Sequence, residues 1–498
     1  MRKMIGLSVA AVLVASVASA STVEDLKAEL EALKKEVAAL KKQTKGLKAK
    51  RIKKQMSELK AAALHDNIKW SIDFRSSYDA ISYKHASGLK RDKSDVISNR
   101  MWLGMKYAPL SNLSFFGQLS YNKLFGQSQS AQPGSIHNPG FNYFDWIVGD
   151  NATDGTLKVR QAYFVYFGDS VLGANIPWTA SIGRRPSTNG FLVNYRDDDK
   201  AASPIGHNIN VEFDGASFGF DISNITNVSG MYFKICMGRG FTNAVPRFAS
   251  QTGDDYVNEK DYTADNDMAG FIFKPYDDGQ YKVITNYFYS WNLLGFSPEQ
   301  LMPDNTNWDF QSVGGMHGWA ISAIAEGVGD GINDFLDDTV LFVSYAGNKT
   351  DPKSDQFMLT MPNMMTGDMS EMGKSHTGWS IYAGAQFPAM ITDEGRIGLE
   401  YNHGSKYWRS MTYGEDTLIG SKLAARGDAY EVYFTQPLLG KVLSMQLRYT
   451  YIDYKYTGSN SFFGADGVAM DIDDAYASGM MDPVDKAQDF RAYIRYRY

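Results

Sequence analysis

The end of the chain alternates without a break. Phe490, Ala492, Ile494, Tyr496 and Tyr498 are interleaved with Asp489, Arg491, Tyr493, Arg495 and Arg497. A period of two places these sets on opposite faces of a β-strand. One face is apolar and aromatic, and the other is largely charged. A soluble sandwich would turn the charged face to bulk water, whereas a membrane barrel would turn it to a channel.

The scheme recurs upstream. Leu443, Met445, Leu447, Tyr449 and Tyr451 alternate with Ser444, Gln446, Arg448 and Thr450. Ile397, Leu399 and Tyr401 alternate with Arg396, Gly398, Glu400 and Asn402. Tyr281, Val283, Tyr287 and Tyr289 alternate with Lys282, Asn286 and Ser290, and Val159 lies between Lys158 and Arg160. Tyrosines at segment ends suit the aromatic girdles of a membrane interface.

The connections separate into two kinds. Short ones cover 109–112, 276–279, 388–395 and 437–440. Long ones cover 80–96, 125–156, 187–206, 239–266, 292–316, 348–376, 404–427 and 457–486. Compact soluble domains carry few long structureless loops, while outer-membrane barrels have short turns at one end and long loops at the other. The alternation rule yields about seventeen candidate strands. A single-chain bacterial barrel needs an even number, so the expectation is 16 or 18 strands. The phase is lost between 187 and 266, around Asp214 and Gly215.

Length and composition agree with this reading. A soluble chain of 498 residues would ordinarily divide into domains. A barrel widens as strands are added and remains one domain. Aromatic residues make up 13% of the chain, yet the mean hydropathy is −0.33. Only every second residue of a barrel strand meets lipid, so both values fit. No later stretch reaches the ~20 apolar residues of a spanning helix. The single Cys236 has no internal disulfide partner.

Residues 1–20 read as a secretory signal peptide. Arg2 and Lys3 precede a short apolar stretch, and Ala18-Ser19-Ala20 forms a small-residue cleavage site. Residues 21–64 then follow a heptad. Val23, Leu30, Val37 and Thr44 occupy a positions, and Leu26, Leu33, Leu40 and Leu47 occupy d positions. Glu29 and Glu36 at g stand five residues before Lys34 and Lys41 at e, which suits a parallel coiled coil. The expected organisation is a signal peptide at 1–20, a periplasmic α-helical coiled coil at 21–64, and an all-β transmembrane antiparallel barrel at 65–498.

With its signal peptide, coiled coil before Trp70, alternating strand 487–498 and terminal Tyr498, the chain resembles the Gram-negative outer-membrane porins. It is similar in particular to trimeric porins with a post-signal coiled coil, and to other outer-membrane barrel families built the same way. The resemblance implies an outer-membrane location in contact with lipid and lipopolysaccharide, and a homotrimer. It also implies recognition of Tyr498 by the barrel-assembly machinery. The implied function is passive diffusion of small polar or ionic solutes. The competing class is a non-conducting structural or adhesive surface protein.

Positions assigned to the lumen face lean basic: Arg75, Arg100, Lys106, Lys158, Arg160, Lys282, Arg396, Arg448, Arg491, Arg495 and Arg497. Asp73, Glu400, Glu431 and Asp489 oppose them. Such a wall either focuses a positive field or pairs across strands. Asp197, Asp198 and Asp199 lie in 187–206. In the general porins, which the chain resembles, the third long loop folds inward with acidic residues facing arginines. By that likeness 187–206 is the expected constriction loop; the alternative is an ordinary exposed acidic loop.

Other chemistry finds less support. Met358, Met361, Met364, Met365, Met369 and Met372 form a thioether-rich stretch near His376, which loop packing accounts for as well as Cu(I) would. The Asp-rich stretches 330–338 and 466–474 lack the twelve-residue calcium-loop pattern. No G-x-S-x-G, H-E-x-x-H or G-x-x-x-x-G-K-[ST] motif accompanies the seven histidines. The expectation is therefore no enzyme, no cofactor, no resident metal and no nucleic-acid partner. The N-terminal region is too small and too helical to plug a 22-stranded gated transporter.

Overall fold

The protein is described as a computed structural model over residues 68–127, 155–185, 189–248, 251–259, 263–296, 311–329, 331–363, 366–412 and 415–498, with Ala152, Glu31, Ala32, Lys34 and Lys35. The expected signal peptide lies outside the described residues, and so does nearly all of the expected coiled coil. Glu31, Ala32, Lys34 and Lys35 are helical, with Glu31 and Lys34 paired at 3.0 Å.

Sixteen antiparallel strands close into a barrel. They are β1 Lys69–His85, β2 Lys90–Leu110, β3 Leu113–Leu124, β4 Lys158–Gly168, β5 Trp178–Arg185, β6 Phe213–Asp221, β7 Tyr232–Phe241 and β8 Asn266–Asp277. They continue as β9 Tyr281–Phe296, β10 Gln311–Glu326, β11 Val340–Pro352, β12 Thr377–Pro388, β13 Arg396–Gly404, β14 Gly427–Leu439, β15 Leu443–Tyr454 and β16 Val484–Arg497. The last strand pairs with the first, from Asp73 opposite Arg497 to Lys84 opposite Lys486. Closure leaves no sheet edge, the condition for crossing hydrocarbon with strands. Among the described residues no helix is long and apolar enough to cross a membrane.

The strand number resolves to 16, not 18. The surplus candidate lay between 187 and 266. There Gly190–Phe191 pairs in parallel with Ala202–Ile205, a separate two-stranded ribbon that is not part of the barrel wall. A connection at 222–231, which the alternation rule did not detect, joins β6 to β7. The expected long connection 80–96 is instead a hairpin, because β1 and β2 continue pairing to Lys84 and Lys90.

Alternation sets the two faces. On β1 Phe74 is 37% exposed and Arg75 is 3% exposed; on β16 Tyr496 is 39% exposed and Arg495 is 1% exposed. Trp70, Ile321, Val343, Tyr345, Ile381 and Ile494 continue the outward apolar surface. So large a continuous apolar face is untenable in water and matches a lipid-facing belt. Sequence chemistry also fixes the short turns. At β8–β9, Gly279 takes φ 97°, the Asp277 side chain accepts the Gly279 N–H at 3.0 Å, and Asp278 accepts the Gln280 and Tyr281 N–H groups at 2.9 and 2.6 Å.

The core lies inside the barrel. Leu192, Val193 and Ile205 pack with Ile284, Ile324, Phe342, Tyr382, Trp408 and Leu423. Ile209, Val211, Met358, Met411 and Phe463 pack with Phe288, Leu293 and Met316. Each cluster joins inward strand residues to residues of long connections. Each buried aliphatic side chain contributes about 1.5–3 kcal/mol to holding those connections in the lumen. Close approach is possible where glycine faces an aromatic ring: Gly384 lies under Phe342 and Gly398 under Tyr433, where any Cβ would collide with the ring.

Candidate functional site

Among the described residues, two long connections carry the charged contacts inside the lumen. The first, 189–212, follows β5. From the end of its turn at 193–195, residues 195–198 present successive main-chain carbonyls to wall strands. Gln386 on β12 donates to the Tyr195 carbonyl at 2.8 Å, and Gln446 on β15 to that of Arg196 at 2.7 Å. On β16, Arg495 donates to the Asp197 carbonyl and Arg497 to the Asp198 carbonyl, both at 2.8 Å. The side chains add to these ties. Asp199 pairs with Arg495 at 2.8 Å and Arg497 at 3.2 Å, and Tyr493 donates to Asp197 at 3.0 Å. Tyr195 donates to Glu326 on β10 at 2.6 Å.

Farther along, His207 is wholly buried between β11 and β12. Its ring nitrogens lie 2.8 Å from Ser344 Oγ and 2.9 Å from Ser380 Oγ. Burial drives its pKa down to about 3, so the imidazole is neutral at pH 7.

The second connection, 405–426, follows β13. Asp416 accepts Arg75 through both terminal nitrogens, at 2.6 and 2.9 Å, and Arg100 at 2.6 Å. Its main-chain carbonyl accepts Arg491 at 3.0 Å. Burial alone would raise the Asp416 pKa, but Arg75 and Arg100 outweigh it and hold the carboxyl well below the usual carboxylate range.

A second charge cluster locks the two connections together. The Lys422 ammonium contacts Glu400 on β13 and Glu431 on β14. Arg196, from the first connection, lies 3.3 Å from Glu415 of the second and 3.7 Å from Glu431. Glu400, Glu415 and Glu431 thus share Lys422 and Arg196, with Arg448 at the edge of the cluster. Burial raises the Glu415 pKa, which favours holding a proton there.

The expected lumen cations therefore do not form one basic ring. Arg75, Arg100 and Arg491 converge on Asp416, while Arg495 and Arg497 hold the 197–199 turn. Arg448 approaches Glu431 at 3.8 Å, and Lys282 pairs with Glu326 at 2.9 Å. Arg396 donates to Gln386 at 3.2 Å. Arg160 lies 4.0 Å from the Trp102 ring centroid, with Arg100 at 3.5 Å from the same ring. Lys106 stands 5.2 Å from Phe116, and Lys158 begins β4 half-buried.

The opposite side of the lumen differs. A cavity of about 210 Å³ lies between the apolar edge of 189–212, at Ala202, Pro204, Ile209 and Val211, and the wall at Tyr163, Arg185, Ser217 and Lys234. Arg185 lies 4.4 Å from the Tyr163 centroid and donates to Ser181. Among the described residues no carboxylate pairs with Arg185.

Sequence reasoning missed Arg185 and Lys234 because β5 to β7 could not be phased. It assigned no role to Asp416, Glu415, Lys422 and His207 because irregular segments carry no periodicity to read. Of the methionine-rich stretch, Met358 is a core residue, while Met369 and Met372 are exposed. In the Asp-rich stretches, Asn333 caps a short helix at Asp334–Asp337, and Asp471 caps one at Ile472–Ala477. The aspartates serve helix termini there.

The family described as a protein of unknown function, DUF3373, matches residues 90–498. The chain belongs to the DUF3373 family. No curated protein matches this DUF3373 chain. Solved structures similar to it include OmpF of Salmonella typhi in complex with daunomycin, at 12% identity and a TM-score of 0.43, covering 87% of this chain and 99% of that one. OprB of Pseudomonas putida is 12% identical with a TM-score of 0.44, covering 88% and 96%. OmpT, an outer-membrane protein of Vibrio cholerae, is 12% identical with a TM-score of 0.40, covering 86% and 98%. The porin-like architecture of this DUF3373 member rests on its own closed register of 16 strands.

Proposed function

We propose that this protein is an outer-membrane channel for small polar or ionic solutes, with a preference for anions and no covalent chemistry. The uneven division of charge in the lumen carries this reading. Where the two connections fill the barrel, arginines and lysines meet carboxylates. Along the wall of β4 to β7, Arg185 meets none among the described residues, and Lys234 lines the same cavity. Positive side chains lining a narrow, low-dielectric passage concentrate anions. In this reading Asp197, Asp198 and Asp199 anchor the constriction. The apolar belt lies in the outer membrane, three chains assemble, and residues 21–64 form the periplasmic coil.

The second reading, a non-conducting surface protein, draws on how completely the lumen is filled: Leu192, Trp408 and Leu423 are 0% exposed. Planar-bilayer recording under a salt gradient separates the two. The channel reading expects discrete steps with an anion-side reversal potential, moved toward cations by Arg185→Glu. A folded, inserted protein that never conducts favours the second reading.

A further inference from the structure

At the end of the barrel where the long connections gather, a cavity of about 550 Å³ opens beside the 405–426 connection, which contributes Ile419 to its lining. This volume falls within the range of small-molecule sites, which are mostly apolar with a few placed polar groups. Its body is apolar: Met361 comes from the connection after β11, Ile419 from that after β13, and Val468, Ile472 and Met480 from that after β15. Three tyrosines, Tyr83, Tyr454 and Tyr456, add aromatic surface. Among the described lining residues Asp466 is the charged one, and its carboxylate also feels the Arg409 guanidinium in the wall behind it.

The walls are built in advance. Arg426, fully buried, donates to the carbonyls of Thr457 at 2.7 Å and Gly467 at 2.9 Å, while the Thr457 N–H donates to the Met470 carbonyl at 2.9 Å. Arg409 donates to the carbonyls of Gly458 and Ser459, each at 3.3 Å. A preformed wall lowers the ordering cost of binding. The tie from Asp466 to its own loop is the Phe462 N–H at 3.2 Å, and a carboxylate accepts up to about four hydrogen bonds.

We propose that this cavity binds a small amphipathic cation: an aromatic or aliphatic body against the methionine, isoleucine and valine side chains, and an ammonium head at Asp466. Tyrosine faces attract a cation, and the described lining residues include no positive group to receive an anion. The site is separate from the anion-leaning cavity beside Arg185, so its ligand is captured at the mouth and need not be the conducted solute.

The test is calorimetric titration of the purified full-length protein in detergent with 2-phenylethylamine, 2-phenylethanol and 3-phenylpropanoate. Expected is one saturable site per chain for the amine, about tenfold weaker binding of the alcohol, and none of the carboxylate. Asp466→Asn should weaken the amine at least tenfold and leave the alcohol unchanged. Met361→Trp should fill the cavity and abolish both. Equal binding of all three probes, which marks partition into detergent, overturns the proposal. So does absence of saturable amine binding, or amine binding indifferent to Asp466→Asn. If Asp466→Asn does not yield a folded barrel, the ranking of the three probes on the unaltered protein and the Met361→Trp result decide.

Discussion

Replacing Asp416 by Asn keeps the shape of the side chain and removes its charge. In the native lumen that carboxylate accepts three hydrogen bonds from two guanidinium groups, at 2.6, 2.9 and 2.6 Å. Arg75 and Arg100 are 3% and 2% exposed, so water does not take over when the charge is lost. Removing one partner of a buried ion pair costs about 3–5 kcal/mol, most of it from the charge left behind. The barrel wall has its own ladder hydrogen bonds, so the cost falls on the 405–426 connection. That segment either loosens or stays with one uncompensated positive charge beside it. Both outcomes favour anions, and loosening also widens the passage. Single-channel recording in a tenfold salt gradient should therefore show an anion-ward shift in reversal potential, with conductance equal to or above that of the unaltered protein. Identical reversal potentials in two conducting proteins would refute the reasoning. The pH dependence carries a sign. The folded pKa lies below the ordinary 3.8, so this tie contributes stability above that value and loses it as pH falls through the folded pKa. Channel behaviour set by Asp416 should thus be flat from pH 7 to about pH 4.

Three further outcomes follow from other contacts. His207 is neutral in the fold with a pKa of about 3 against an ordinary 6.5, so its contribution is complete above pH 6.5 and declines as pH falls toward 3. At pH 5 the loss is ~2 kcal/mol, to be read as faster hydrogen exchange in 189–212, and His207→Gln should flatten that dependence. Lys422→Met should leave Glu400, Glu415 and Glu431 competing for Arg196; a local loss of about 3–5 kcal/mol should appear as new protease cleavage in 405–426, and unchanged resistance would count against the locking role. Deleting residues 21–64 should convert a trimer to monomers on light scattering if the heptads drive assembly, and an unchanged mass would assign assembly to the barrel.

Strand 487–498 was legible from its residues because a barrel wall has two solvents. Lipid outside and a polar lumen inside force a period of two, and Phe490 to Tyr498 display it directly. The turn at 277–280 was legible because Asp and Gly satisfy its backbone locally. The lumen arginines were legible as inward-facing for the same reason, but their partners were not. Asp416 reaches Arg75 across 341 positions of chain, and Arg196 reaches Glu415 across 219. No local pattern encodes such a meeting.

The alternation rule also failed between 187 and 266 for a physical reason. The ribbon at Gly190–Phe191 and Ala202–Ile205 pairs within its own connection and not with the barrel wall. It therefore carries no lipid-facing set of residues to be read. By itself the sequence determined that the chain crosses a membrane as strands, because alternation is a one-dimensional record of two flanking environments. Only the tertiary structure decided that the strands number sixteen, that the connections 189–212 and 405–426 lock together through Arg196 and Glu415, and that Arg185 and Lys234 line a cavity. Those are outcomes of which distant charges find each other when the barrel closes, and Coulomb attraction across a closed lumen leaves no trace in local sequence.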